Sequence, residues 1–107
     1  MIVRANAQAN QSRHITPGRD YIVISLNHGS YRVIDDDGVP ALYSKSMFET
    51  VDSSIPDDWV WERYTEDEYY AHPPELSSKG FFEDWFDGKP TARQMLKDYL
   101  EREKGTF

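Results

Sequence analysis

The sequence predicts an α+β domain: a small antiparallel barrel or strongly bent sheet over residues 19–71, followed by two C-terminal helices. Three observations carry this. Tyr21–Leu26 alternates, and is followed across short turns by Tyr31–Ile34 and Val39–Tyr43, the pattern of a meander. Asp57–Tyr64 and Glu68–Ala71 repeat a hairpin pattern with aromatic residues. From Gly80 onward the apolar residues recur at helical spacing.

Residues 1–14 are polar and rich in Ala, Asn and Gln. They read as a flexible leader with room for a short strand at Met1–Arg4. The domain proper is expected over 15–107, with 15–71 forming the β part and 80–104 the helical closure. It opens at the Pro17-Gly18 turn signal. In the first strand Ile22, Ile24 and Leu26 fall on one side, and Tyr21, Val23 and Ser25 on the other. Asn27–Ser30 is a turn, and Asp37-Gly38 favours a second tight one. Pro40 places the third strand near an edge. Ser44–Phe48 predicts one 3₁₀ turn delivering Met47 and Phe48 to the core, and Phe48–Val51 a short strand. In the second hairpin Trp59, Trp61 and Arg63 share a face, Thr65-Glu66-Asp67 turns the chain, and His72-Pro73-Pro74 ends the ladder.

Phe81, Phe82, Trp85 and Phe86 make one apolar stripe of a helix that Gly88 stops. The next helix starts either at Pro90 or at a capping box of Thr91 and Gln94. Its buried stripe is expected to be Ala92, Met95, Leu96, Tyr99 and Leu100, with Gly105 as terminator.

Composition narrows the function classes. The chain has 107 residues and no cysteine, which excludes disulfide frameworks and cysteine-held zinc. No signal-peptide core or membrane-length apolar run is visible, so a cytoplasmic location is expected. The net charge of -7 is concentrated: residues 35–87 hold fifteen acidic and three basic side chains, while both flanks are mildly basic. Such a field repels nucleic acid and steers basic partners. Acids that merely keep the protein soluble would give the same composition.

No catalytic motif stands out. His14, His28 and His72 lack metal-ligand spacing. Asp35-Asp36-Asp37-Gly38 has consecutive rather than alternating acids, which suits a turn better than a calcium loop. No phosphate loop, nucleophile elbow or Ser/His/Asp set is present. No catalytic, cofactor-binding or metal-binding residue is therefore assigned, and the chain is read as a binding protein, not an enzyme. The partner-binding surface is placed on the second hairpin, at Asp57, Asp58, Trp59, Trp61, Glu62, Tyr64, Glu66, Asp67, Glu68 and Tyr70. There rings would supply desolvated area and carboxylates would recognise Lys and Arg. The alternative is that the helices cover one face and the rest are ordinary strand aromatics.

The stretch Thr16-Pro17-Gly18, Tyr31-Arg32-Val33-Ile34-Asp35-Asp36-Asp37-Gly38, Leu42-Tyr43 and Met47-Phe48-Glu49-Thr50-Val51-Asp52 resembles a group of small bacterial SH3-like barrel proteins. The resemblance covers residues 16–52. Ile55–Val60 and the Gly80–Gly88 block look similar to longer members. It implies an SH3-like barrel and, because some such acidic proteins are immunity proteins of contact-dependent inhibition or polymorphic toxin systems, a toxin-neutralising role. The partner implied is a basic, nuclease-type toxin domain, bound by a monomer as a 1:1 heterodimer, with no cofactor, nucleic acid or membrane involved. The competing expectation is an SH3-like interaction or regulatory module with no toxin partner.

Overall fold

Asp20–Asn27, eight residues rich in β-branched and aromatic side chains, form the strand that organises the sheet. The computed structural model describes residues 1–66 and 68–104. Its strands are β1 (Ile2–Ala5), β2 (Asp20–Asn27), β3 (Ser30–Ile34), β4 (Pro40–Ser44), β5 (Phe48–Asp52), β6 (Val60–Arg63) and β7 (Tyr69–His72). Helices α1 (Phe81–Phe86) and α2 (Pro90–Lys104) follow. Every ladder is antiparallel, in the order β4-β3-β2-β1-β5, with β7 pairing both β2 and β6. The α+β class and the two C-terminal helices are as the sequence predicts. The sheet is open: its ends β4 and β5 are joined by a 3₁₀ turn at Lys45–Met47 and share no ladder.

Residues 1–14 correct the expectation of a flexible leader. β1 lies in the middle of the sheet, paired on one edge with β2 and on the other with β5. Val3 and Ala5 are buried, and Ala9 follows them into the same core from a 3₁₀ turn at Ala7–Gln11. Asn6 caps that turn by accepting from the Gln8 amide at 2.9 Å, and its own amide donates to the Ser46 carbonyl at 2.8 Å. The short strand expected at Met1–Arg4 is present as β1, but four residues with two inward positions are too few to announce its central place in the sheet. The polar run behind them holds caps rather than loose chain.

β2 separates two cores, and a bulge in it decides which one Leu26 enters. The β2–β3 register shifts between Val23 and Ser25, and a bulge swaps which face later residues occupy. Tyr21, Val23 and Leu26 therefore enter one core with Val3, Val33, Phe48, Trp59 and Ala71. Ile22 and Ile24 enter the other with Leu76, Phe81, Ala92, Leu96 and Tyr99. Strict alternation had put Leu26 with Ile22 and Ile24; the extra residue moves it across.

The turn acids are ties. Asp35 is buried, and its carboxylate accepts from the amides of Asp37 (2.9 Å) and Val39 (3.0 Å) and from the Tyr43 hydroxyl (2.9 Å). Burial, and then this carboxylate, push the Tyr43 hydroxyl well above its usual range. Gly38 completes the turn at φ +76, where a side chain would be strained. Asp36 accepts from Thr16, Arg19 and Tyr21 at 2.7–2.8 Å and so anchors the chain ahead of β2. Replacing Asp35 by alanine leaves three donors without their acceptor. The expected loss is about 2 kcal/mol, read as a lowered urea midpoint at unchanged slope.

The helices bury less than their apolar content suggests. α2 starts at Pro90, so proline at the first helical position sets the start and not Thr91 with Gln94. Ala92, Leu96 and Tyr99 are buried, but Met95 is 37% exposed and Phe86 51% exposed. Met95 precedes Leu96, about 100° around the helix from it, and Phe86 ends a helix of six residues. Neither belongs to the buried stripe in which the sequence placed it. Gly105 lies outside the described residues. Among those described, no helix is long and apolar enough to cross a membrane.

Candidate functional site

The register of the β6–β7 hairpin decides which of its side chains can act together. Directly opposed residues share a face. Trp61 opposes Ala71 and Arg63 opposes Tyr69; Val60 opposes His72 and Glu62 opposes Tyr70. The surface expected as one patch is thus split. Trp61 stacks on Tyr69 at 6.0 Å on one face. Glu62, Tyr64 and Tyr70 lie on the other, where the Tyr64 hydroxyl donates to Glu62 at 3.1 Å and the Tyr64 and Tyr70 rings meet edge-on at 5.5 Å.

Trp59 is not on this surface. It is 5% exposed and belongs to the core around Val3 and Phe48. It precedes β6, just after the Pro56–Asp58 turn, where the Trp59 amide donates to the Pro56 carbonyl. The turn drops the ring inward instead of letting it continue the strand's outward face. Asp57 and Asp58 are exposed in that same turn, at the base of the hairpin. Glu66 and Glu68 are exposed at its tip, where the Tyr64 amide donates to the Glu68 carbonyl. Strand geometry separates the two acid groups by about 20 Å. Asp67 lies outside the described residues. Among those described, Asp57, Asp58, Glu62, Glu66 and Glu68 enter no ion pair.

Each face of the hairpin borders a depression. The Trp61 side opens on a shallow one of about 290 Å³ that includes Tyr31 and Lys45. There Lys45 donates to the Tyr69 hydroxyl at 3.0 Å and lies over both tyrosine rings. The Glu62 side opens on a groove of about 740 Å³ between β3, β7 and the segment leading into α1. Neither Tyr69 nor any residue across this groove is in the partner-binding set assigned from the sequence.

Arg32 and Lys79 both line the larger groove, and Arg32 is the one held between strand and helix. Its Nη1 donates to the Pro40 carbonyl at 2.8 Å, and its guanidinium lies 4.0 Å from the Phe82 ring centroid. Its Nε is buried and meets no partner among the described residues; the same holds for His72 Nε2. Burial pushes the Arg32 pKa down to about 10, with no carboxylate opposing the shift. The sequence shows only that Arg32 sits between Tyr31 and Val33 on a strand of the meander.

His14, read as part of a leader, is brought against Asp37 in an exposed ion pair. Together with Asp35 these residues offer three potential metal-ligand atoms within 4.8 Å of one another. The Asp35 carboxylate is already committed to three donors, so the cluster is accounted for as a turn lock. Among the described features, the grooves and exposed rings suit binding. Comparison with known proteins gives no match: no family model, no curated protein and no solved structure aligns with the chain.

Proposed function

We propose that the protein is a cytoplasmic immunity protein that binds and neutralises a basic, nuclease-type toxin domain as a 1:1 complex, without catalysis or cofactor. One observation carries the reading. Among the described residues, the exposed carboxylates of the hairpin enter no ion pair and share the hairpin with the exposed rings of Trp61 and Tyr64, although the chain has 12 Lys and Arg that could have neutralised them. Unpaired acids around desolvatable aromatics suit Lys- and Arg-rich partners. The finer fold assignment, an SH3-like barrel, belongs to the same proposal. It is supported by the succession of meander, one 3₁₀ turn and the return strand Phe48–Asp52, which follows the order of the resembling segments.

The test is capture of the toxin domain encoded beside this gene. The hairpin geometry makes the prediction specific. Reversing Glu62, Glu66 and Glu68 to lysine, at and near the tip beside Tyr64 and Tyr70, is expected to weaken binding at least about tenfold and to flatten its salt dependence. Reversing Asp57 and Asp58 at the base is expected to have the smaller effect. Binding that survives both sets, or that ignores salt, overturns the reading.

A second reading, an SH3-like interaction module with no toxin partner, draws on the other face. The Trp61–Tyr69 stack beside Tyr31 and Lys45 forms an aromatic depression independent of the acids. A gene with no neighbouring toxin, and a partner whose binding depends on Trp61 but not on Glu62, Glu66 or Glu68, would favour it.

A further inference from the structure

We propose that the groove beside α1 takes a ligand with a carboxylate on an aromatic or apolar body, its carboxylate seated on the Arg32 guanidinium. This does not rest on the basic-partner reading, which places cations against the acids of the hairpin, although Glu62, Tyr64 and Tyr70 border both surfaces. A largely desolvated cation without a counter-charge is costly. The chain has 19 acidic residues, yet among the described residues none forms an ion pair with Arg32. Nη1 is occupied by the Pro40 carbonyl, whereas Nε has no acceptor. The Nε–Nη2 edge is the planar fork that a carboxylate engages with two parallel bonds. His72, with Nε2 also unpartnered, lines the same groove. Nε is closed to solvent, so seating a carboxylate on it requires the side chains around it to shift.

The rest of the groove sets the body of the ligand. Its volume of about 740 Å³ falls within the range of about 300–1,000 Å³ of small-molecule sites. Tyr70 and Phe81 supply apolar walls. Glu62, Glu83 and Lys79 also line it, so the charges around Arg32 sum to one negative and repel a dianion about twice as strongly as a monoanion. That favours a carboxylate over a phosphate. A small aromatic acid and a peptide ending in an aromatic residue share this chemistry.

The probes are 4-hydroxyphenylacetate for the first source and N-acetylphenylalanine for the second, each with its neutral amide, and inorganic phosphate. Each is titrated into the full chain and followed by backbone amide chemical shifts. Shifts at residues 25, 32, 72 and 78–82 with at least one acid, absent with its amide, are the expected result; the tighter acid identifies the source. Arg32→Met, which keeps the apolar stem, is expected to weaken the acid about tenfold or more and to leave the melting temperature unchanged or raised. Glu83→Gln, at an exposed position, is expected to tighten it and keeps the test open if Arg32→Met misfolds. Amides that bind as well as the acids, phosphate binding where neither acid does, or Arg32→Met binding like the parent would each overturn the proposal.

Discussion

Val3→Asp is expected to leave the protein largely unfolded at 25 °C. Val3 is fully buried in β1, which pairs with β2 on one edge and β5 on the other. An aspartate there either keeps its charge among Val23, Val33 and Phe48 or takes up a proton without a partner for it. Either costs several kcal/mol, against a total of about 5–15 kcal/mol for an ordinary domain. Loss of amide dispersion and of the cooperative thermal transition is the readout. Arg4→Gln is the control: Arg4 is exposed and pairs with Asp20 at 2.7 Å, and its loss is expected to leave the midpoint nearly unchanged. If 1–14 were a leader, both variants would behave like the parent.

Trp59→Ala is expected to cost about 3–5 kcal/mol, and Trp61→Ala to leave the urea midpoint almost where it was. Two residues apart in the sequence, these tryptophans do different work. Trp59 is 5% exposed within the core around Phe48; Trp61 is 51% exposed and meets Tyr69. The alanine at 59 leaves a cavity in the core that holds Val3, Phe48 and Ala71, which the sheet can close only in part. Urea denaturation of the two variants separates the roles. A small effect at 59 would mean that the ring is not packed as described.

Much of the strand and helix plan was legible because it is written in local chemistry. The Asp-Gly turn, the 3₁₀ turn before Phe48 and the glycine that ends α1 each depend on a few adjacent residues. Several features were not legible, most of them because a longer-range contact decides them. β1 has too few residues to show a period, and its burial is supplied by strands that follow it. The bulge in β2 is a register relation with β3, invisible within β2 itself. The acidic hairpin was correctly read as an aromatic pair of strands. Which of its side chains share a face follows from the register Glu62 with Tyr70, and the inward turn of Trp59 from the loop before it. Arg32 stayed hidden for the same reason: only the packing of α1 over β3 brings Phe82 onto its guanidinium.

The hairpin β6–β7 meets the rest of the sheet at a single register position, Leu26 with Ala71, and every residue of β6 is exposed. β2, by contrast, has no face free of a core. Tolerance to substitution is therefore unevenly distributed. The outer positions of the hairpin can change at a cost within about 0.5 kcal/mol each, while β2 can hardly change at all. A lineage carrying this fold can revise the surface of the hairpin, residue by residue, without renegotiating how it folds.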